Sequence, residues 1–246
     1  MAKFIGKKLL QYVIVLFCAS LIIFGMVRLN KTDPVSVIVG GKQTTKETVE
    51  SIRRDFNLDK SLPEQYGIWI TGIFHGDFGT SFQYRQSVSE LMARRFPVTA
   101  GIVLLSTLIA IIIAIPTGIL TAVKQNTPID TFLSIFQLIL VASPPFLTSI
   151  LMIVCVSALA PGYAFTGSFN SFGEFLSRIS LPSIALAFSM IALTSRVMKT
   201  SMVEQLQTNY KMVATAKGIS DQKIIWVHCL KNALIPVITI LGTQIG

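Results

Sequence analysis

Residues 131–173 form a run of 43 positions without a single charged side chain. Four more uncharged runs flank it, at 9–27, 97–123, 179–195 and from 232 onward. A bilayer core of about 30 Å is crossed by about 20 apolar helical residues. Within lipid only helices or closed barrels satisfy the backbone polar groups. A soluble helix needs a polar face. Residues 104–115, LLSTLIAIIIAI, have almost none. Charged residues are 13% of the chain, against about 25% in a typical soluble domain. These runs predict an all-α, polytopic membrane protein. The longest run exceeds one helix, and we place one span near 132–159, followed by a loop broken at Pro161-Gly162.

The N-terminus carries Lys3, Lys7 and Lys8 ahead of its apolar run, as a secretory signal would. No small-x-small cleavage site follows, only Arg28-Leu29-Asn30, so the run reads as a retained first span. Basic residues also gather after the fourth run: Arg196, Lys199, Lys211, Lys217, Lys223 and Lys231 against Glu204 and Asp221. Short loops rich in Lys and Arg stay inside. Both segments, and hence the N-terminus, are therefore expected on the cytoplasmic face. This asymmetry accounts for the basic pI, and no basic stretch interleaves with aromatics as in a nucleic-acid surface.

Three regions follow: 1–30, a cytoplasmic tail and first transmembrane helix; 31–96, an extracytoplasmic helical segment; and 97–246, a core with spans two to five and a cytoplasmic loop at about 204–231. In the external segment, Thr44 with Glu47 and Ser61 with Glu64 have the spacing of capping boxes. Asn57 is suited to a left-handed helix stop. Leu62, Tyr66, Trp69, Ile70 and Ile73 share one helical face, expected against the outer ends of the spans or the interface. Pro116 with Gly118, and Ser143-Pro144-Pro145, fall inside spans. They mark either bends that line a path or packing kinks. Phe136, Ser143, Pro144 and Met190 are the candidate path residues from their positions in the spans.

Residues 196–236 are neither apolar enough to span nor disordered in composition. Helical spacing holds upstream (Met202, Leu206, Tyr210, Val213) and downstream (Ile224, Val227, Leu230, Leu234). Between them lie Ala214, Thr215, Ala216, Lys217, Gly218, Ile219, Ser220 and Asp221. Small residues let another surface approach, Gly218 permits a turn, and Ser220 or Asp221 can cap the next helix. The stretch is either a docking knob or an ordinary hairpin between spans.

Ala214-x-Ala216-Lys217-Gly218 followed by Asn232-Ala233-Leu234-Ile235-Pro236 resembles the coupling loop of ATP-binding-cassette importer permeases, in the dipeptide, oligopeptide and nickel group. Gly76-Asp77-Phe78-Gly79-Thr80-Ser81 is similar to that group's external signature. Leu58-Asp59-x-x-Leu62-Pro63-x-Gln65-Tyr66, Ile115-Pro116-x-Gly118-Ile119, Asp130 and Ser143-Pro144-Pro145-Phe146 extend the likeness over the whole chain. Asn57 replaces a usual Gly, Thr215 a usual Arg, and Met212 an acidic residue of the general motif. Pro236 lies 18 residues after Gly218, as in this group. The resemblance implies the first permease subunit of such an importer, with the type I fold. Its six-span core here ends within the fifth span, which reads as a truncation.

It further implies a homologous second permease, two ATP-binding subunits, an extracytoplasmic solute-binding protein, and residence in a bacterial or archaeal inner membrane. Ala214 to Asp221 would seat on an ATPase subunit. The cargo would be peptides, nickel or a metal chelate. No cofactor, resident metal or catalytic residue is implied. The sequence agrees: Gly41-Lys42 is followed by Gln43 and lacks the remainder of a phosphate-binding loop, and His75 and His228 are expected on opposite sides of the membrane. The alternative is a secondary transporter or facilitator, but such proteins usually carry ionisable groups within spans. The first four runs have none well inside.

Overall fold

The computed structural model describes residues 2–29, 35, 39, 45–81, 83–84, 86–167, 169–208 and 215–245. The chain divides into two compact units, Met1–Phe96 and Pro97–Gly246.

In the first unit α1 (Ala2–Leu29) is followed by α2 (Lys46–Asp55) and α3 (Leu62–Phe74). Thr44, the expected cap of α2, lies outside the described residues. The cap is Thr45, one position on, whose hydroxyl accepts the Thr48 N–H. Asn57 stops the helix at φ 53°. Its N–H reaches the Arg54 carbonyl, and the Leu58 N–H reaches that of Arg53. This double bond to the last turn satisfies carbonyls that a helix end otherwise leaves free. Gly76, at φ 79°, closes α3 the same way: its N–H bonds Ile73 and that of Asp77 bonds Gly72. At the start of α3 the Glu64 carboxylate accepts both the N–H and the hydroxyl of Ser61.

Of the expected face of α3, Tyr66 and Trp69 pack on Phe24 of α1, and the Tyr66 hydroxyl meets Ser20 Oγ at 2.8 Å. Leu62 is exposed instead. A short antiparallel pair, β1 (Thr80–Ser81) and β2 (Gln86–Ser87), leads into the next helix.

That helix, α4 (Val88–Val123), runs 36 residues through both Pro97 and Pro116. It is followed by α5 (Pro128–Ala142), α6 (Pro145–Leu159), α7 (Phe172–Leu206) and α8 (Asp221–Ile245). Among the described residues α1, α4, α7 and α8 are each long and apolar enough to cross a membrane.

The single span expected near 132–159 is instead two helices of 15 residues, α5 and α6, meeting at 98°. At 1.5 Å per residue each is about 22 Å long, short of the bilayer core. The break has a local cause. A residue before proline is driven out of the helical region, and Ser143 and Pro144, each followed by one, take extended ψ values of 112° and 137°. Pro145 then opens α6 in the first turn, where its missing N–H costs nothing.

Helix α7 is the hub of the second unit and packs against α5, α6 and α8. One buried cluster joins Ala110 and Ala114 of α4, Leu140 of α5 and Ala187, Met190 and Ile191 of α7. A second joins Ile119 of α4, Met198 and Met202 of α7, and Ile224, Cys229, Ala233 and Val237 of α8. Small residues set the α4–α7 approach. A Cβ on Gly118 would fall 2.6 Å from Met198 Cβ and 2.8 Å from the Ser195 carbonyl oxygen. Thr117 bonds Ser195 Oγ at 3.0 Å beside it, and also donates to the Ile113 carbonyl. Gly118 thus stands at a tight helix crossing, whereas Pro116 is exposed.

Candidate functional site: the connection between α7 and α8

Helix α7 ends at Leu206 with Gln207 as its cap. Ala214, with Tyr210 and Val213, lies outside the described residues. Thr215 and Ala216 form a helical turn, and the Gly218 N–H closes it on the Thr215 carbonyl at 2.9 Å. Gly218 has φ 76°, and a Cβ there would meet nothing within 4 Å. The glycine is needed for backbone conformation, not for lack of room. Thr215, Ala216, Lys217, Gly218 and Ser220 are exposed, as is Asp221.

Beneath this tip the apolar residues turn inward. Ile219 is half-buried against the second cluster, and Ile224 is wholly buried in it. Ser220 has the extended backbone of an N-cap, and its carbonyl accepts the Ile224 N–H at 3.0 Å. Its side chain makes no capping bond; Asp221 in the first turn supplies the negative charge that a helix start favours.

From Ile224 to Cys229 the backbone is π-helical, a form found mostly as single turns inside α-helices. It overturns the expected face of Ile224, Val227, Leu230 and Leu234. The wider turn puts the next buried residue five positions on, at Cys229, after which Ala233, Val237 and Leu241 recur at four. Val227 is left exposed and Leu230 and Leu234 only half-buried.

A charged contact missed in the sequence lies at the base of this connection. Lys199, two turns before the end of α7, reaches Asp130 in the first turn of α5 at 2.5 Å. Asp130 is buried, and also accepts the Asn126 N–H and the Ser134 hydroxyl, each at 3.1 Å. It thus ties the α4–α5 turn to the last stretch of α7. Asp130 stood out as a family position, but a partner 69 residues away leaves no local signal.

The candidate path residues are not brought together. Phe136 is exposed on α5, Ser143 donates to the Ile139 carbonyl at the break, and Pro144 begins the turn into α6. Met190 is 4% exposed, inside the first cluster, and so lines no open surface. Among the described residues no group of three His, Cys, Asp or Glu is placed to hold a metal ion.

Apolar helices of spanning length, one broken pair and, among the described residues, an exposed glycine turn rooted in the buried core define a multi-pass membrane protein. Residues 114–246 match the family model described as the binding-protein-dependent transport system inner membrane component, and residues 1–103 match its N-terminal companion. The chain is 34% identical to the oligopeptide transport system permease protein OppB of Salmonella typhimurium, over 98% of this chain and 78% of that protein. It is 33% identical to the proteins of the same name in Haemophilus influenzae and Escherichia coli K12, at the same coverage. The chain belongs to this family of importer permeases. It is a multi-pass inner-membrane subunit of an ATP-binding-cassette importer with the type I permease fold, working in a complex with other permease and ATPase subunits.

Proposed function

We propose that this permease imports peptides, and that the segment 214–221, described from Thr215 on as an exposed turn, is where the work of ATP hydrolysis enters it. The cargo assignment follows the relatives, which are oligopeptide permeases by name. The coupling assignment rests on one observation: an exposed left-handed turn at Gly218 is fastened directly below, through Ile219 and Ile224, to the buried cluster shared by α4, α7 and α8. A partner gripping the tip would therefore pull on the spans and not on a slack loop.

In this reading the N-terminus and the turn face the cytoplasm, as the distribution of Lys and Arg favours. Two ATPase subunits engage this chain and a homologous second permease, and a binding protein delivers solute from outside. The chain itself performs no chemistry. Closure of the ATPases displaces the turn, and the spans exchange between two arrangements, a two-state element biased by a ligand bound elsewhere. The break at Ser143-Pro144 gives the wall of the passage a segment that is not locked into one continuous helix.

Reconstitution of the full importer in proteoliposomes tests both parts. Uptake of di- and oligopeptides is expected only with ATP and the binding protein. Uptake of nickel in place of peptides overturns the cargo assignment, and uptake without the ATPases overturns the coupling. Gly218→Asp places a charge in open space, so membrane insertion is expected to survive while transport is lost. Unchanged uptake in that variant removes the turn from the mechanism.

A further inference from the structure

At the end of α1 remote from the N-terminus, a cleft of about 410 Å³ opens within the first unit. Ile23, Phe24 and Val27 of α1 wall it on one side, and Ile68 and Trp69 of α3 on the other. Polar groups line the same cleft. The Arg28 guanidinium lies over the Phe24 ring, 5.5 Å from its centroid. Lys199–Asp130 is the salt bridge formed among the described residues, so no described carboxylate pairs with Arg28. Asp55 and Asp77 also line the cleft.

The sharpest mark is Gln65. Its residue is 7% exposed, and its amide nitrogen donates to the Lys60 carbonyl at 2.7 Å. Among the described residues its buried Oε1 has no hydrogen-bond partner. An acceptor left so forfeits its hydration without return, and such groups in native proteins call for an explanation.

A ligand that fits must offer an anion to Arg28, an N–H donor to Gln65 Oε1 and the carboxylates, and a long apolar portion to the α1 wall. The position adds a further condition. Arg28 ends the spanning helix α1, and Trp69 of α3 stacks on Phe24 beside it; Trp and Arg so placed mark the headgroup level of a membrane. A zwitterionic phospholipid with a primary ammonium meets all of these. Phosphatidylcholine lacks the N–H donor, and phosphatidylglycerol lacks the cation. An oligopeptide has both charges, but its backbone amides would go unsatisfied along the apolar wall. We propose that this cleft is a phosphatidylethanolamine site, with phosphate at Arg28, ammonium toward Gln65 and Asp77, and an acyl chain along α1.

Native mass spectrometry of the complete, detergent-purified importer tests this with palmitoyl-oleoyl phosphatidylethanolamine and the choline and glycerol lipids of the same chains. The expected result is preferential retention of the ethanolamine lipid by the unaltered complex. Arg28→Gln and Gln65→Leu should each weaken retention about tenfold, the equivalent of one charge-assisted hydrogen bond. Equal retention of the three lipids overturns the site, and that comparison needs no variant to fold. Equal competition by glycerophosphoethanolamine shows a soluble headgroup source and overturns the lipid. Displacement by trialanine assigns the cleft to peptide and overturns it as well.

Discussion

Lys199 Nζ and Asp130 Oδ1 meet at 2.5 Å, across 69 residues of sequence, with the carboxylate buried and the lysine partly exposed. The contact joins the turn between α4 and α5 to the stretch of α7 that leads into the Gly218 turn. Removing one member of a buried pair leaves an unpaired charge, at a cost of about 3–5 kcal/mol; the partial exposure of Lys199 puts this pair at or below the low end. Lys199→Met alone should therefore lower thermal stability more than Lys199→Met combined with Asp130→Asn. A double-mutant cycle on the midpoint of thermal unfolding checks this, and additive losses would show that the pair does not interact.

Gly118 admits no side chain. Alanine there brings its Cβ to 2.6 Å from Met198 Cβ and 2.8 Å from a backbone carbonyl. Overpacking of this kind costs about 1–3 kcal/mol. Gly118→Ala should destabilise the protein, and Met198→Ala should not rescue it, because both clashing atoms remain. Thermal unfolding of the single and double variants gives the answer.

Gly218 poses the opposite problem, with free space but φ 76°. A left-handed residue costs about 1–2 kcal/mol for most side chains, and asparagine tolerates it best. Transport should fall in the order Gly, Asn, Ala, Val at this position, while the amount of protein in the membrane stays level. Uptake normalised to assembled complex measures the series.

Glu64, on α3 and not in one of the spanning helices, carries a pH dependence. The hydrogen bonds from the Ser61 side chain and backbone hold its carboxyl below the usual carboxylate range, and the charge of Lys60 adds to them. A depressed carboxylate contributes stability above its unfolded pKa and loses it as pH falls through the folded one. The first turn of α3 should therefore loosen on acidification below the ordinary carboxylate range, and Glu64→Gln should abolish that dependence. Amide hydrogen exchange over residues 61–65 is the measurement.

What was legible in the sequence was whatever chemistry acts locally. Uncharged runs located α1, α4, α7 and α8. Asn57 and Gly76 stop helices because few residues accept positive φ, and Ser61 with Glu64 caps one because the spacing itself makes the bond. The Thr44 cap was misplaced by one residue because Thr45 offers the same hydroxyl. The 98° break was half legible: Pro144-Pro145 announced a bend, but its angle depends on what α5 and α6 pack against. The Lys199–Asp130 contact and the buried Gln65 arise from tertiary approach, which periodicity does not carry. The turn proposed for coupling was marked by Gly218, its small neighbours and the Asn232–Pro236 motif beyond them. Nothing local distinguished Ile219 and Ile224, which root it, from other apolar residues.

The π-helical stretch has an arithmetic consequence. Between its buried ends, Ile224 and Cys229, the chain holds one residue more than an α-helix requires to return to the same face. Deleting one position from 225–228 would leave Cys229, Ala233, Val237 and Leu241 on the inward side while shortening the helix. Closing the wide turn without a deletion would instead swing everything beyond it by about 100°, the angle of one helical residue. The helix therefore carries a built-in spare step, which sets both the distance from the glycine turn to the rest of α8 and the direction that rest of α8 faces.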